Sequence, residues 1–294
     1  MKKTITSVLA GASVLAATAN AEIVLTDDLS LAGYVDTWFY SEDDMSDWTG
    51  EVAEVELGFN FTPEDSAWSA VAEVSYYMGA DTYDFETVTI TYAASDELSF
   101  SVGNILSYQG FETFDATGLY QFSYQGYQGA VAYSAGYAVG ASADYVTDDY
   151  ALGLWVGEAD NEASIEVLVA YTGVEDLTVK FIYANDPGYE TWNIWGSYVV
   201  DAFTFAVEYT DNDFDGAGDV THLMGLVNYA FGDAGVTFRV TDGDIFGFDY
   251  IRYTISPSYT FSDNVIGLVE WSYDDADDEA FSDTQLAAEL LFTF

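Results

Sequence analysis

The sequence contains no cysteine, and its 294 residues include one histidine and five basic residues against 51 acidic ones. The absence of cysteine excludes a disulfide framework and any thiol chemistry. Because His222 is the one histidine, a catalytic site would lack its commonest general base, and we do not expect an enzyme. The excess of acid disfavours nucleic acid and anionic lipid surfaces as partners, since both are polyanions.

Beyond its first residues the sequence also lacks a long apolar run. The N-terminal stretch MKKTITSVLAGASVLAATANA contains two lysines, an apolar segment from about Ile5 to Ala17, and the small residues Ala19-Asn20-Ala21. This order is typical of a secretory signal peptide, and its apolar segment is too short to span a membrane. We therefore predict a signal peptide over residues 1–21 and a mature chain over 22–294 without helical membrane spans.

The predicted mature chain carries a strong negative charge. Lys2 and Lys3 lie in the signal peptide, so three basic residues remain against 51 acidic ones, a formal charge of −48. Such a charge normally indicates disorder, but 20 Phe, 24 Tyr and 7 Trp are far too many aromatic residues for a disordered polyanion. We therefore expect a folded chain.

A two-residue alternation runs through most of the mature sequence. In EVAEVELGFNF, Val55, Leu57 and Phe59 share one face, whereas Glu54 and Glu56 share the other. The same alternation recurs in LTVKFIY (177–183), FTFAVEYT (203–210), GVTFRVT (235–241) and AELLFTF (288–294). Two residues is the period of a β-strand, and the charged residues lie opposite the aromatic ones. The sequence therefore predicts an all-β fold.

Three features favour a transmembrane β-barrel over a soluble sandwich, which would also alternate. Strands of about 9 to 11 residues cross a bilayer when they are tilted. The side chains on the polar face are small or acidic, and such a face is better suited to contact with water than to packing against a second sheet. The apolar face carries large aromatic residues near strand ends, as interfacial girdles require. These are Tyr76, Tyr92, Tyr171, Tyr183, Trp192 and Trp271.

The spacing of short turns predicts the number of strands. Short polar turns are expected at 62–66, 94–97, 147–149, 173–176, 200–202, 231–235 and 262–264. Longer acidic loops alternate with them, at 41–50, 157–163, 211–219, 241–247 and 273–283. Seven regular hairpins and the oversized stretch 94–147 give 16 strands if that stretch is one hairpin and 18 if it is two. We favour 16.

The signal peptide, the alternating strands, the acidic loops and the final strand ending on Phe294 resemble the porins of Gram-negative outer membranes. The resemblance covers the whole mature chain. It implies an outer-membrane barrel in contact with lipid, a water-filled channel for passive diffusion of small hydrophilic solutes, and a homotrimer. In this family the barrel-assembly machinery reads the last strand, which implies an assembly signal at Leu290, Phe292 and Phe294.

Porins of this family narrow the channel with a long third loop, whose acids face a wall of arginines. The third long connection here is ILSYQGFETFDATG (105–118). The resemblance therefore implies a constriction loop with the candidates Tyr108, Phe111, Glu112, Phe114 and Asp115. An alternative is a loop at the membrane edge or in a trimer contact. The sequence departs from the family because few bases are available to form the opposite wall.

The predicted water-facing side of the strands supplies the candidates for the pore lining. They are Glu54, Glu56, Glu73, Glu86, Glu166, Lys180, Glu208, Arg239, Arg252, Glu270 and Glu289. Walls of carboxylates bias a wide aqueous pore toward cations. We therefore expect the channel to prefer cations and uncharged solutes, less so as salt rises, because screening at about 0.15 M acts over roughly 8 Å. Adaptation to a saline habitat is another explanation of the acidity.

Two other functions stay open at this stage. Aromatic residues of the third loop could stack on sugars in a substrate-selective channel, and a barrel without a conducting pore could be structural or adhesive. A weak Ca²⁺ or Mg²⁺ site at Asp211, Asp213 and Asp215 also stays open, because DNDFDG matches the start of a calcium loop. His222 replaces its final glutamate and strands flank it, so an EF-hand is rejected. No other cofactor is expected.

Overall fold

The structure, a computed structural model, describes residues 22–42, 49–78, 82–112, 115–123, 133, 136–159, 162–276 and 283–294. The predicted signal peptide lies outside these residues. The strands are β1 (Ile23–Val24), β2 (Leu29–Glu42), β3 (Thr49–Phe61), β4 (Trp68–Tyr77), β5 (Thr82–Ala93), β6 (Leu98–Leu106), β7 (Tyr137–Val146), β8 (Tyr150–Ala159), β9 (Glu162–Val174), β10 (Leu177–Asp186), β11 (Tyr189–Val200), β12 (Phe203–Phe214), β13 (Gly218–Phe231), β14 (Ala234–Ile245), β15 (Phe248–Ser262), β16 (Val265–Ala276) and β17 (Asp283–Thr293). A 3₁₀ turn, Ala116–Gly118, lies between β6 and β7.

The sheet closes on itself. Each strand from β2 to β17 pairs antiparallel with the next, and β17 pairs with β2, which gives a barrel of 16 strands. The short β1 pairs with β2 beside this closure. Within 94–147, the described residues form one hairpin, β6 and β7, paired from Leu98↔Tyr145 to Leu106↔Tyr137. This pairing confirms 16 strands and removes the alternative of 18.

The short turns lie where the sequence predicts them, whereas the acidic loops at the other end are shorter than predicted. Asp176 and Asp201 adopt positive φ angles of 62° and 52° in two of the short turns, a conformation that aspartate tolerates. At the opposite end, β12 and β13 stay paired as far as Phe214↔Gly218. The prediction of long loops over 211–219 and 241–247 is therefore wrong, because the acidic residues there still form ladder hydrogen bonds.

The barrel is apolar outside and polar inside. Along β12, Phe205 and Val207 are exposed on the outer face, whereas Thr204 and Glu208 are buried on the inner face. The predicted girdle residues follow the same rule, and all except the half-buried Tyr183 are exposed: Tyr76, Tyr92, Tyr171, Trp192 and Trp271. No helix among the described residues is long and apolar enough to cross a membrane. The outer face has the polarity of a surface in contact with hydrocarbon.

Candidate functional site: the channel constriction

The connection between β6 and β7 folds into the barrel in its described part, residues 107–112, 115–123, 133 and 136; we call this part the inner loop. Its first anchor is Glu166 on β9, which accepts hydrogen bonds from Ser107 Oγ at 2.8 Å and from the Tyr108 amide at 3.0 Å. The Tyr108 hydroxyl donates to Asp144 on β7 at 2.5 Å. A loop at the membrane edge would make none of these contacts, so the inward position that the resemblance implied is the one observed.

A second anchor lies on β11 and β12. Glu208 accepts hydrogen bonds from the Phe111 amide at 2.9 Å and from the Tyr133 hydroxyl at 2.6 Å. The side-chain amide of Asn193 holds the same carboxylate at 2.8 Å. Burial raises the pKa of the Tyr133 phenol well above its ordinary value, and the charges of Glu208 and Glu112 raise it further. Tyr133 therefore stays protonated and donates a hydrogen bond to Glu208.

The third anchor is Arg239 on β14, whose side chain is almost completely buried. Its Nη1 atom lies 2.7 Å from Glu112 Oε1 and 2.8 Å from the Ser123 carbonyl oxygen, and its Nη2 atom donates to Ser123 Oγ at 2.6 Å. The Ser123 amide in turn donates to Glu270 on β16 at 3.0 Å. One guanidinium thus joins both limbs of the inner loop to the barrel wall.

Apolar contacts fill the space between the inner loop and this wall. Phe111 and Tyr120 have parallel rings 6.5 Å apart, and Phe111 meets Trp195 of β11 edge-on at 5.5 Å. Tyr108, Phe111 and Tyr120 are all buried in this cluster, with Leu168 and other wall residues. Their rings are packing surfaces, not faces open to a solute. Phe114, a further candidate, lies outside the described residues.

The three bases of the mature chain, Lys180, Arg239 and Arg252, lie on the wall that supports the inner loop. They do not form a wall of arginines on the other side of the channel. Lys180 Nζ lies 5.0 Å from the centre of the Trp195 ring. Arg252 on β15 pairs with Asp274 on β16 at 2.5 Å. Arg239 and Arg252 are on adjacent strands, but an acid neutralises each of them.

The wall across the barrel is acidic. Strands β4 and β12 are eight positions apart in the ring of 16, so β3, β4 and β5 face the anchored side of the inner loop. Carboxylate oxygens of Glu54, Glu56 and Glu86 all lie within 4.8 Å of one another on this wall; we call these residues the glutamate cluster. Glu73 on β4 is close by, and Tyr77 donates a hydrogen bond to Glu86.

Two irregularities in the ladders turn these acids inward. The register of β2 with β3 shifts between Asp36 and Thr37, directly beside Glu54. The register of β4 with β5 shifts between Ala72 and Val74, so that Glu86 and Thr87 together oppose Glu73. A bulge of this kind changes the direction of a side chain locally. It allows Glu86 to reach the two glutamates of β3.

Asp115 brings a carboxylate of the inner loop to this acidic wall. Burial and, to a smaller extent, the charges of Glu86, Glu73 and Glu54 together raise the pKa of the Asp115 carboxyl to about 8. The inner loop thus carries Glu112 to the basic anchor on one side of the barrel and Asp115 to the glutamates on the other. The two acids of the inner loop are thus held against opposite walls of the barrel.

The predicted lining residues therefore separate into two sets. Residues of the first set are buried under the inner loop or in contacts on the same wall: Glu166, Lys180, Glu208, Arg239, Arg252 and Glu270. Residues of the second set lie on the opposite wall or at the barrel closure: Glu54, Glu56, Glu73, Glu86 and Glu289. The sequence indicated that both sets face inward but not which wall the inner loop covers.

Several site residues were missed at the sequence level. Asp36 and Asp144 lie at inward positions of alternating strands, so the alternation that found the glutamates also contains them. Tyr34 and Ser75 flank the glutamate cluster in the ladders. Tyr133 follows no periodic pattern, and no signal in the sequence points to it.

The remaining predicted sites lie elsewhere. Asp211 and Asp213 belong to β12 and alternate with the buried Asn212, and Asp215 follows in the turn. Because Asp211 and Asp213 are paired with β13, this segment does not have the coil of a calcium loop, and the weak Ca²⁺ or Mg²⁺ site there stays a prediction. At the C-terminus, Leu290 and Phe292 are exposed on the outer face. Phe294 exchanges backbone hydrogen bonds with Gly33.

No protein-family model and no curated protein matches this chain. Solved structures do match it. OmpF of Salmonella typhi, in complex with daunomycin, has a TM-score of 0.73 and 14% identity, covering 93% of this chain and 100% of that one. An anion-selective porin from Comamonas acidovorans has a TM-score of 0.72 and 14% identity, covering 90% and 99%. OmpT of Vibrio cholerae, an outer membrane protein in a trimer form, has a TM-score of 0.67 and 14% identity, covering 90% and 99%.

These similarities show that the chain has the fold of Gram-negative outer-membrane porins. They do not show whether such a channel would prefer cations or anions, since an anion-selective porin is among the matches. That preference depends on the side chains of the constriction.

Proposed function

We propose that this chain, which has the fold of the 16-stranded porins, is an outer-membrane channel through which small hydrophilic solutes and cations diffuse passively. The observation that carries the proposal is the inner loop, which is anchored along one wall and brings Asp115 to the glutamates of the opposite wall. A loop anchored inside a barrel narrows an aqueous passage without crossing the lipid.

The preference for cations follows from the distribution of charge. Arg239 is neutralised by Glu112 and Arg252 by Asp274, whereas Lys180 is stacked on Trp195 behind the inner loop. Between Lys3 and Lys180 the sequence has no lysine or arginine, so no base of β2–β9 can offset the acidic wall. Carboxylates that line a pore attract cations and repel anions.

The partners and the location are proposed on related grounds. The apolar outer face suits outer-membrane lipid, and the strand that ends at Phe294 is the segment that the barrel-assembly machinery would read. A homotrimer is in line with the trimer form of OmpT. We propose no enzymatic activity: His222 lies inside the barrel on β13, where its ring contacts Tyr250.

Planar-bilayer recording tests this function. The refolded mature chain should give discrete channels whose reversal potential in a tenfold KCl gradient has the sign of cation preference, and the preference should weaken as the salt concentration of both chambers is raised. Recorded at a pH above the pKa of the Asp115 carboxyl, where that group is charged, Asp115→Asn should reduce the preference, whereas Glu162→Gln, which changes an exposed acid at the rim, should not.

Other results would reject the proposal in recognisable ways. An anion-sign reversal potential would contradict the role of the acidic wall. Absence of conductance from correctly folded protein would favour a structural or adhesive barrel. Saturable block by added sugars would favour a substrate-selective channel, which the burial of Tyr108, Phe111 and Tyr120 makes less suitable.

A further inference from the structure

The glutamate cluster has features that an acidic channel wall does not require. Three carboxylates, from Glu54 and Glu56 on β3 and Glu86 on β5, converge within 4.8 Å on one wall, on the two strands that flank β4. Unscreened carboxylates at this separation repel one another strongly, and a wall that only attracts passing cations would spread them apart. Their convergence is the arrangement expected when a hard cation is shared between them.

Two buried hydroxyl groups supply a second and independent observation. In the ladders, Glu56 lies directly between Tyr34 on β2 and Ser75 on β4, all at inward positions. Ser75 is 0% exposed and Tyr34 is 2% exposed. Both hydroxyls face the Glu54 carboxylate, but among the described residues Ser75 Oγ, Tyr34 Oη and Glu54 Oε1 form no hydrogen bond of normal length and angle. Buried polar oxygens normally have such a partner, and a cation beside Glu54 would supply one to all three.

The surroundings contain no positive side chain that could be this partner. Strands β2–β5 have no lysine or arginine, and the three bases of the mature chain lie on β10, β14 and β15. Two of those bases are paired with Glu112 and Asp274, and the third is stacked on Trp195. A bound ion is therefore the remaining source of positive charge for the described wall.

We propose that Glu54, Glu56 and Glu86 bind a divalent cation of the calcium class at the channel constriction, with the hydroxyls of Tyr34 and Ser75 beside it. The ligands are oxygen atoms only, which suits calcium or magnesium and not the softer transition metals. Calcium fits better, because it accepts irregular sets of six to eight oxygens, whereas magnesium demands octahedral geometry and keeps its water. Asp115 of the inner loop is close enough to respond to the bound charge.

Binding of the cation does not depend on the proposed function. Only its expected effect on permeation rests on the proposal that the barrel is a channel. A divalent cation held at the constriction cancels part of the wall charge and obstructs the narrowest section. It should therefore lower the potassium current and the preference for cations. Removal of the cation by a chelator should restore both.

Binding is tested directly with the folded mature chain in detergent, freed of metal by a chelator and titrated with CaCl₂ in a calorimeter. About 0.15 M KCl screens the exposed acids. Wild type should show one saturable site per chain. Glu54→Gln with Glu56→Gln should weaken it at least tenfold. The matched control, Glu158→Gln with Glu162→Gln, changes two exposed rim acids and should bind as wild type does.

The result that overturns the site is equal calcium affinity in wild type and the cluster variant, or no saturable binding by wild type. If the double variant does not fold, the single variant Glu56→Gln replaces it. Bilayer recording of the same proteins separates this proposal from the channel function. Calcium-independent current in every protein rejects the site and leaves the channel, whereas cluster-dependent binding without any current rejects the channel and leaves the site.

Discussion

At the scale of single residues, the chain has very few bases, and the structure uses one of them to anchor the inner loop. Arg239 is 1% exposed and contacts Glu112 and Ser123, which lie on the two limbs of that loop. A guanidinium is suited to this role because its donors are rigid and point in several directions. Arg239 is therefore part of the contact between the inner loop and the wall and not a free charge in the channel.

Arg239→Gln should destabilise the barrel by about 3–5 kcal/mol, because it leaves Glu112 buried without its counter-charge. The inner loop should also become accessible to protease in the folded protein. The measurements are urea unfolding in lipid vesicles and limited proteolysis. Adding Glu112→Gln should recover part of the loss, since the uncompensated charge is then removed as well.

Arg252→Gln is the matched control for this prediction. Arg252 lies on the adjacent strand, but its pair with Asp274 joins two strands of the wall and is less buried, with side-chain exposures of 15% and 20%. Water screens a pair of this kind, so the expected loss is about 1 kcal/mol or less. Equal losses in the two single variants, with no change in proteolysis, would refute the anchoring role of Arg239.

At the scale of strands and loops, the sequence predicts much of the barrel, because alternation and short turns are local properties. The inward direction of Glu54 and Glu56 and the turn at Asp176 could be predicted without long-range information. The positions at which the strands end could not. Asp213 and Asp219 resemble loop residues by composition, yet they face each other in the ladder of β12 and β13. A strand extends as far as its partner offers hydrogen bonds, and composition alone does not reveal that length.

The constriction was less predictable than the barrel for the same reason. The alternation identified the inward acids, but the contact of Glu112 with Arg239 joins residues 127 positions apart. The glutamate cluster depends on a register shift opposite Glu73, which no local pattern announces. Contacts and irregularities of this kind are decided by how neighbouring strands align.

Gly103 on β6 is the backbone position on which this alignment depends. It has a φ of 143°, and a Cβ atom added there would lie 1.9 Å from the Val88 carbonyl oxygen. Asn104, the next residue, donates a hydrogen bond to the carbonyl oxygen of Glu86 at 2.6 Å. The close approach of β6 to β5 therefore supports the bulge that directs Glu86 into the channel.

Gly103→Ala should lower the free energy of unfolding by about 1–3 kcal/mol, because β5 and β6 must separate to admit the methyl group. It should also weaken any calcium binding that depends on Glu86. Gly225→Ala on β13 is the control: its added Cβ would meet nothing within 4 Å, so its unfolding free energy should change by less than about 1 kcal/mol. The paired measurements are urea unfolding in vesicles and calcium titration, and similar stability of the two variants would show that the close approach at Gly103 is not required.

At the scale of the whole molecule, the distribution of polarity is the reverse of that in a soluble protein. Charged and hydroxyl side chains are buried inside the ring, and large apolar side chains such as Phe205, Tyr209 and Leu223 are exposed outside it. A water-soluble barrel would lose stability through such a surface, whereas a barrel in lipid gains from it. The negative charge of the chain then faces the channel and the rim, where water solvates it.

The assignment of the outer face to hydrocarbon is tested on one strand. Val207 lies in the middle of β12, points outward and is 55% exposed. Val207→Arg should cost about 2–4 kcal/mol of folding free energy in vesicles, because it places a charge near the bilayer midplane. In a soluble barrel the same exposed position would accept arginine at little cost.

Asp213→Arg completes this test, because Asp213 is exposed at an outward position of the same strand, about 20 Å further along it. That distance brings the side chain to the interface, where an arginine costs about 0–1 kcal/mol. Urea titration of both variants in vesicles should therefore give a large loss for Val207→Arg and a small one for Asp213→Arg. If both lose equally little, the outer face does not contact hydrocarbon, and neither the channel nor its acidic constriction can be placed in a membrane.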